Sequence, residues 1–222
     1  MKYTILVSNG SYGNLRAAAN AEQKIDWWND DQVADQTVCT IAWAATELAQ
    51  YLKGDIVFLE PTAGWANRTG TVILMGTAKD PAVIEFCKEF SIELASDMPA
   101  ETLRIVGVEK DGVQYVLLTG ADRVGVMYGA FAYLERLGIH FIEPGAPAYG
   151  EPCTEAVFDI TESPSYATRG TLSSYVCDDD KVFSLWMAHN RFNDSSIVGG
   201  NDYYRKKLGI IRSVGGHDVF EN

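Results

Sequence analysis

Cysteine is sparse in this sequence, and its spacing serves no common framework. Cys39, Cys87, Cys153 and Cys177 lie 48, 66 and 24 residues apart with no C-x-x-C pair. That excludes a zinc knuckle and a dense disulfide scaffold and leaves free, mostly buried thiols as the expectation. Long apolar runs are missing too, since no segment approaches the ~18 consecutive apolar residues of a membrane span. The opening run to Val7 is too short for a secretory leader and passes directly into Ser8-Asn9-Gly10. A cytoplasmic location, or an already mature form, is therefore expected. Positive charge is short: 18 Lys and Arg stand against 30 Asp and Glu, a net charge of −12 over 222 residues. Residues 1–168 carry 11 basic and 23 acidic side chains, whereas residues 169–222 carry seven of each. A field of that sign repels phosphate backbones and anionic lipid, so neither nucleic acid nor membrane is an expected partner.

What is present suffices for a substantial core, with 47% hydrophobic and 11% aromatic residues. The length suggests one domain plus part of another. Tyr3 to Val7 reads as a first strand, followed by a polar stretch to about Asp35. Ile41, Ala44, Ala45, Leu48 and Leu52 fall on one face at helical spacing, and Gly54 supplies a stop. Ile56 to Leu59 and Thr71 to Met75 read as strands, and Asp80-Pro81 as a helix start. Lys110-Asp111-Gly112 between two apolar runs reads as a hairpin turn.

Asp122 is placed to cap a helix from Arg123 to Leu137, whose stripe Val124, Met127, Phe131, Leu134 and Leu137 would face a core. Gly125 and Gly129 leave that helix bare along one line. Each costs roughly 1 kcal/mol in a helix interior, so a close neighbour is expected there. Ile139 to Ile142 follows as a strand. Four of the seven prolines, Pro144, Pro147, Pro152 and Pro164, then crowd one segment. It is the expected linker, residues 146–168, between a domain over 1–145 and a second unit over 169–222. In that second unit strand and helix signals alternate: Arg169 to Val176, Lys181 to Asn190, Asn193 to Val198, Asp202 to Leu208, and Ile210 to Val214. Three strands with two crossovers would begin a parallel α/β structure, but a complete β/α barrel needs eight such units.

The sequence A-D-R-V-G-V-M-Y-G-A-F-A-Y-L-E-R-L-G-I-H-F-I-E-P-G from Ala121 to Gly145 resembles the end of the small domain that precedes the catalytic barrel in certain glycoside hydrolases. These are the xylan-trimming α-glucuronidases and the family-20 β-N-acetylhexosaminidases. The helix A-A-T-E-L-A-Q-Y-L at Ala44 to Leu52 and V-I-L-M-G-T-A at Val72 to Ala78 are similar as well. S-P-S-Y-A-T-R-G from Ser163 to Gly170 resembles the entry into the first barrel strand. W-M-A-H-N-R-F-N from Trp186 to Asn193 and Gly215-Gly216-His217 resemble the later turns. The resemblance implies an α/β chain: a small α+β accessory domain followed by the first strands of an incomplete (β/α)8 barrel. It implies carbohydrate as ligand and the missing C-terminal portion of the barrel as partner. The catalytic carboxylates of those families come from later strands, so none has a counterpart here, and this chain alone is expected to be inactive.

Arg169 and His217 are the candidate substrate-binding residues. In the hexosaminidases the matching arginine holds the non-reducing sugar, and a guanidinium can donate to two adjacent hydroxyls. The competing reading pairs Arg169 with an acidic neighbour at the domain boundary. His217 follows two glycines at a strand end, or is merely a surface residue near a terminus. His140 and His189 read as structural. Asp178-Asp179-Asp180 lacks the alternating oxygens of a calcium loop and reads as a solvated helix N-terminus, so no metal is expected. Gly120, Gly125 and Gly129 do not form G-x-G-x-x-G, and no cofactor is expected. Trp27, Trp28 and Trp65 offer ring faces to sugars, although packing is the commoner use.

Overall fold

The computed structural model describes residues 1–94, 97–171, 180–195 and 200–212. The chain runs β1 (Lys2–Leu6), α1 (Leu15–Ala19), α2 (Val33–Tyr51), β2 (Asp55–Leu59), β3 (Thr71–Met75), α3 (Pro81–Glu89), β4 (Leu103–Lys110), β5 (Val113–Gly120) and α4 (Arg123–Arg136). It continues through β6 (Ile139–Glu143), β7 (Ala146–Tyr149), β8 (Phe158–Glu162), β9 (Gly170–Thr171), α5 (Asp180–His189), β10 (Asp194–Ser195), α6 (Asp202–Lys207) and β11 (Ile211–Arg212).

Six strands form one sheet in the order β2-β1-β3-β5-β4-β8. β2, β1, β3 and β5 are parallel, while β4 pairs antiparallel with both β5 and β8. Strand side chains alternate between two apolar layers. Ile5, Ile73, Val116 and Leu118 pack with α2 and α4 on one face, and Leu6, Val72, Leu74 and Leu117 pack with Val83 and Phe86 of α3 on the other. This mostly parallel sheet with helices on both faces fits the α+β domain expected from the sequence.

Local signals act as their chemistry requires. Asp122 Oδ1 accepts from the Val124 and Gly125 amides at 3.0 and 2.9 Å, satisfying two orphan donors at the start of α4. Asp111 and Gly112, at φ of 53° and 72°, make the tight turn between β4 and β5. Asp80 departs from expectation: it makes no side-chain cap, and its Oδ2 instead accepts from Thr77 N at 2.6 Å. α4 departs as well, because every residue from Val124 to Leu134 is buried. Beyond the stripe read from the sequence, α2 and α5 also pack on this helix.

The stretch 146–168, expected to be a linker, contributes two strands. β7 pairs with β6, and β8 extends the main sheet beyond β4. Exposed β4 would leave a row of unpaired amides and carbonyls, which β8 satisfies. Arg104 strengthens this edge with bonds to both oxygens of Asp159, at 2.9 and 2.7 Å. Beyond it β9, β10 and β11 form a three-stranded parallel sheet whose spatial order follows the sequence.

The helices between these short strands pack on the first unit. Met187, Ala188, Tyr204, Leu208 and Ile210 belong to the same apolar cluster as α2 and α4. Arg123, half-buried at the start of α4, donates to Lys206 O and Lys207 O at 3.0 Å each, and Thr40 Oγ1 donates to Lys207 O at 2.8 Å. Two other helices thereby cap the C-terminal carbonyls of α6. Buried Lys207 Nζ lies 3.0 Å from Glu22 Oε2 and over the Tyr204 ring. Asp180, expected to be solvated, instead pairs with buried Arg205.

Among the cysteines, Cys39 and Cys87 are buried and Cys153 is exposed, all as free thiols. Cys177 lies outside the described residues. No helix among the described residues is long and apolar enough to cross a membrane.

His189 sits between the Phe141 and Phe131 rings, with Nε2 3.4 Å from Glu47 Oε1. Burial lowers its pKa, against the opposing influence of Glu47 and Glu135. The unfolded chain therefore binds a proton near pH 6.5 that the native chain resists. Stability is full above that pH and falls below it, by at most about 1.4 kcal/mol per pH unit from this one group. In urea unfolding at pH 7.5 and 5.5, His189→Gln is expected to show a smaller loss on acidification than the parent. Equal losses would refute the assignment.

Candidate functional site

The sequence candidate Arg169 lies at a seam between the large sheet and the β9–β11 unit. The loop before β4 brings Glu101, held at φ 61°. Its amide donates to Asp122 Oδ2 at 2.8 Å, so the aspartate that caps α4 also fixes this turn. α4 supplies Tyr128, the end of β8 supplies Glu162 and Ser163, and the turn after α5 supplies Asn190 and Arg191. Together with Arg169 they line a cavity of about 160 Å³.

Arg169 is extensively engaged by the protein. Its Nε donates to Arg191 O and its Nη1 to Tyr166 O, both at 2.8 Å, and its Nη2 pairs with Glu101 Oε2. Three of the five guanidinium hydrogens are thus used. Asn193 closes the arrangement: its Oδ1 accepts from Arg169 N at 2.8 Å, and its Nδ2 donates to Glu101 Oε1 at 2.9 Å and Ala167 O at 2.8 Å. Both oxygens of Glu101 are therefore committed. Arg191 pairs with Glu135 at 2.8 Å and approaches Glu162 at 3.5 Å.

Among the described residues, two buried polar atoms in this seam make no hydrogen bond. Tyr128 Oη is buried and unpaired, as is Arg191 Nε. Burial pushes the Tyr128 phenol well above its usual range, Glu101 pushes it further, and Arg169 opposes. The neutral Tyr128 hydroxyl, approached by the Arg169 guanidinium, keeps capacity for a bond to a ligand hydroxyl or a water. With both Glu101 oxygens committed and Glu162 beside Arg191, this arrangement suits binding and positioning better than proton transfer.

Arg169 immediately precedes the N-terminal end of β9. In a β/α barrel, residues at that end serve stability and those at the opposite end serve chemistry. The cavity side expected to be shared by Arg169 and His217 cannot be traced, because His217 lies outside the described residues. The remaining sequence candidates occupy separate places. His140 is exposed on β6 and His189 is buried behind α4. Trp27 is buried, with Nε1 donating to Glu22 O at 2.8 Å, and Trp65 packs against Phe86. Trp28 is 57% exposed, but Tyr203 meets it edge to face and Lys206 lies over its ring. Among the described residues no group of three or more His, Cys, Asp or Glu could hold a metal ion. Sequence reasoning missed Glu101, Tyr128 and Asn193, whose only local signals were an acid before a strand, an aromatic on a helix and an asparagine before a strand.

A mostly parallel six-stranded sheet thus carries a three-stranded parallel β/α unit packed on one of its helical faces. Residues 11–133 match the glycosyl hydrolase family 67 N-terminus, and the chain belongs to that family. It is thereby a glycosidase-associated N-terminal domain. Among solved structures it is similar to a GH138 enzyme targeting pectin rhamnogalacturonan II, with a TM-score of 0.42 and 14% identity over 95% of this chain. The chain spans only 30% of the length of that enzyme. No curated relative matches the sequence.

Proposed function

We propose that this chain is the N-terminal part of a carbohydrate-active hydrolase resembling the α-glucuronidases and hexosaminidases. The six-stranded domain acts as an accessory that holds the start of a (β/α)8 barrel, and the barrel portion outside this chain is its partner and supplies the catalytic carboxylates. The observation that carries this reading is the β9-β10-β11 order. Three parallel strands in sequence order, with α5 and α6 as crossovers, are the repeating unit of a β/α barrel. Arg169 serves first as the clamp of this unit, and its remaining donor capacity would serve a sugar hydroxyl in the seam. His217 is assigned to the sugar cleft on sequence resemblance.

Reading the coding DNA beyond Asn222 tests the proposal directly. An in-frame continuation encoding further strand and helix repeats is expected, and an immediate stop would overturn it. The chain by itself is also expected to hydrolyse neither glucuronic-acid-decorated xylo-oligosaccharides nor aryl β-N-acetylglucosaminides. Binding without an acid and a second carboxylate cannot lower a barrier by the ~8 kcal/mol that enzymatic rates require. Turnover that survives purification and disappears when one acid of this chain is neutralised would refute the accessory role.

A further inference from the structure

A second cavity, of about 310 Å³, lies away from the seam at the carboxyl ends of β1, β2 and β3. Its position follows from the topology. β1 and β3 are adjacent and parallel, yet the chain leaving β1 forms α2 on one face of the sheet and the chain leaving β3 forms α3 on the other. Connections that diverge from neighbouring strands open a crevice between them, and open α/β sheets place their ligands at such a switch point. The volume is at the lower end of the range of small-molecule sites.

The lining is specific in what it accepts. Glu60 follows β2, and its Oε1 accepts from Asn9 N at 2.8 Å; Asp80 precedes α3, and its Oδ2 accepts from Thr77 N at 2.6 Å. Each carboxylate is oriented by one backbone amide through one oxygen, and neither has a cationic partner among the described residues. Among the described residues no Lys, Arg or His lines the cavity, whereas Ser8, Thr37 and Thr62 are part of its lining. Ile41, Leu74, Met75 and Val83 form a buried apolar floor. Gly76 keeps the end of β3 bare, since a Cβ there would stand 2.7 Å from Asp80 Oδ2.

From this arrangement we infer that the switch-point cavity binds a pyranose carrying no negative charge. Ionised carboxylates only accept hydrogen bonds, so the occupant must be rich in donors, and a ring edge with adjacent hydroxyls meets that need. The C–H face of the same ring matches the aliphatic floor. A uronate is excluded, because it would bring a third carboxylate to a site with no cation to offset it.

Saturation-transfer NMR and calorimetry on the full chain, comparing methyl β-glucopyranoside with methyl β-glucuronide, test this inference. The two probes differ only in a hydroxymethyl against a carboxylate. Saturable binding of the neutral glycoside is expected, with the uronide at least about tenfold weaker. Glu60→Gln, which keeps the side-chain shape, should weaken the glucoside about tenfold. Ala82→Phe, which narrows the mouth at the start of α3, should abolish binding while the melting temperature stays near that of the parent. Absence of saturation, equal affinity for both probes, or glucoside binding that survives both substitutions would overturn the inference.

Discussion

Arg169→Ala is expected to destabilise the chain by about 3 kcal/mol in urea unfolding, the low end of the cost of breaking a buried pair by removing one partner. Both side chains of the Arg169–Glu101 pair are only 18% exposed. The substitution also removes the donors to Tyr166 O and Arg191 O, so two carbonyls and one carboxylate lose a bond together. Arg169→Lys should recover less than half of the loss, since an ammonium cannot reach three divergent acceptors as a planar guanidinium does. A double-mutant cycle with Glu101→Gln should give a coupling of more than about 1 kcal/mol. Additive effects would show that the two residues do not form a clamp, and the support for the accessory role would then rest on strand order alone.

Gly125→Ala should be still more damaging, by about 3 kcal/mol or more, with loss of soluble protein as an alternative readout. A Cβ at this position would stand 2.2 Å from Thr102 O and 3.0 Å from Thr102 C, which are backbone atoms that cannot turn aside. α4 would have to leave the sheet, and overpacking against a fixed backbone is among the mechanisms behind large single-residue effects. The same substitution four residues on tests the explanation. At Gly129 the nearest atoms to a Cβ are Ile105 Cγ2 at 3.5 Å and Thr119 O at 3.6 Å, which is ordinary contact. Gly129→Ala is therefore expected to be neutral or to stabilise by up to about 1 kcal/mol through helix propensity. Equal damage at both sites would mean that helix packing as a whole is responsible, and not the approach of one carbonyl.

These two glycines also illustrate what can be read from sequence. Both interrupt a helical pattern, which signals a close neighbour, but only coordinates reveal that Gly125 has one and that Gly129 merely adjoins the sheet. The polar stretch after β1 was legible as irregular but not as the five-residue α1 and its neighbouring turns. A helix that short has too few internal bonds to impose a periodic pattern and is held by its packing on α2. β8 was hidden for a related reason. Its five residues lie within the proline-rich segment, between Pro152 and Pro164, and become a strand only because β4 offers an open edge.

The sequence by itself determined the elements whose causes are local. α2 follows from its apolar periodicity, the start of α4 from its Asp122 cap, the β4–β5 turn from Asp111-Gly112, and the later β/α alternation from its short repeating signals. Tertiary structure alone decided which residues meet. Glu101 and Arg169 are 68 positions apart and Glu101 and Asn193 are 92 apart, so their union at the seam leaves no trace in neighbouring residues. The switch-point cavity is equally invisible in the chain, because it arises from α2 and α3 departing to opposite faces of one sheet. Hydrogen bonding to near neighbours writes itself into residue order, whereas the packing of distant elements is selected by the burial of the whole core and has no local signature.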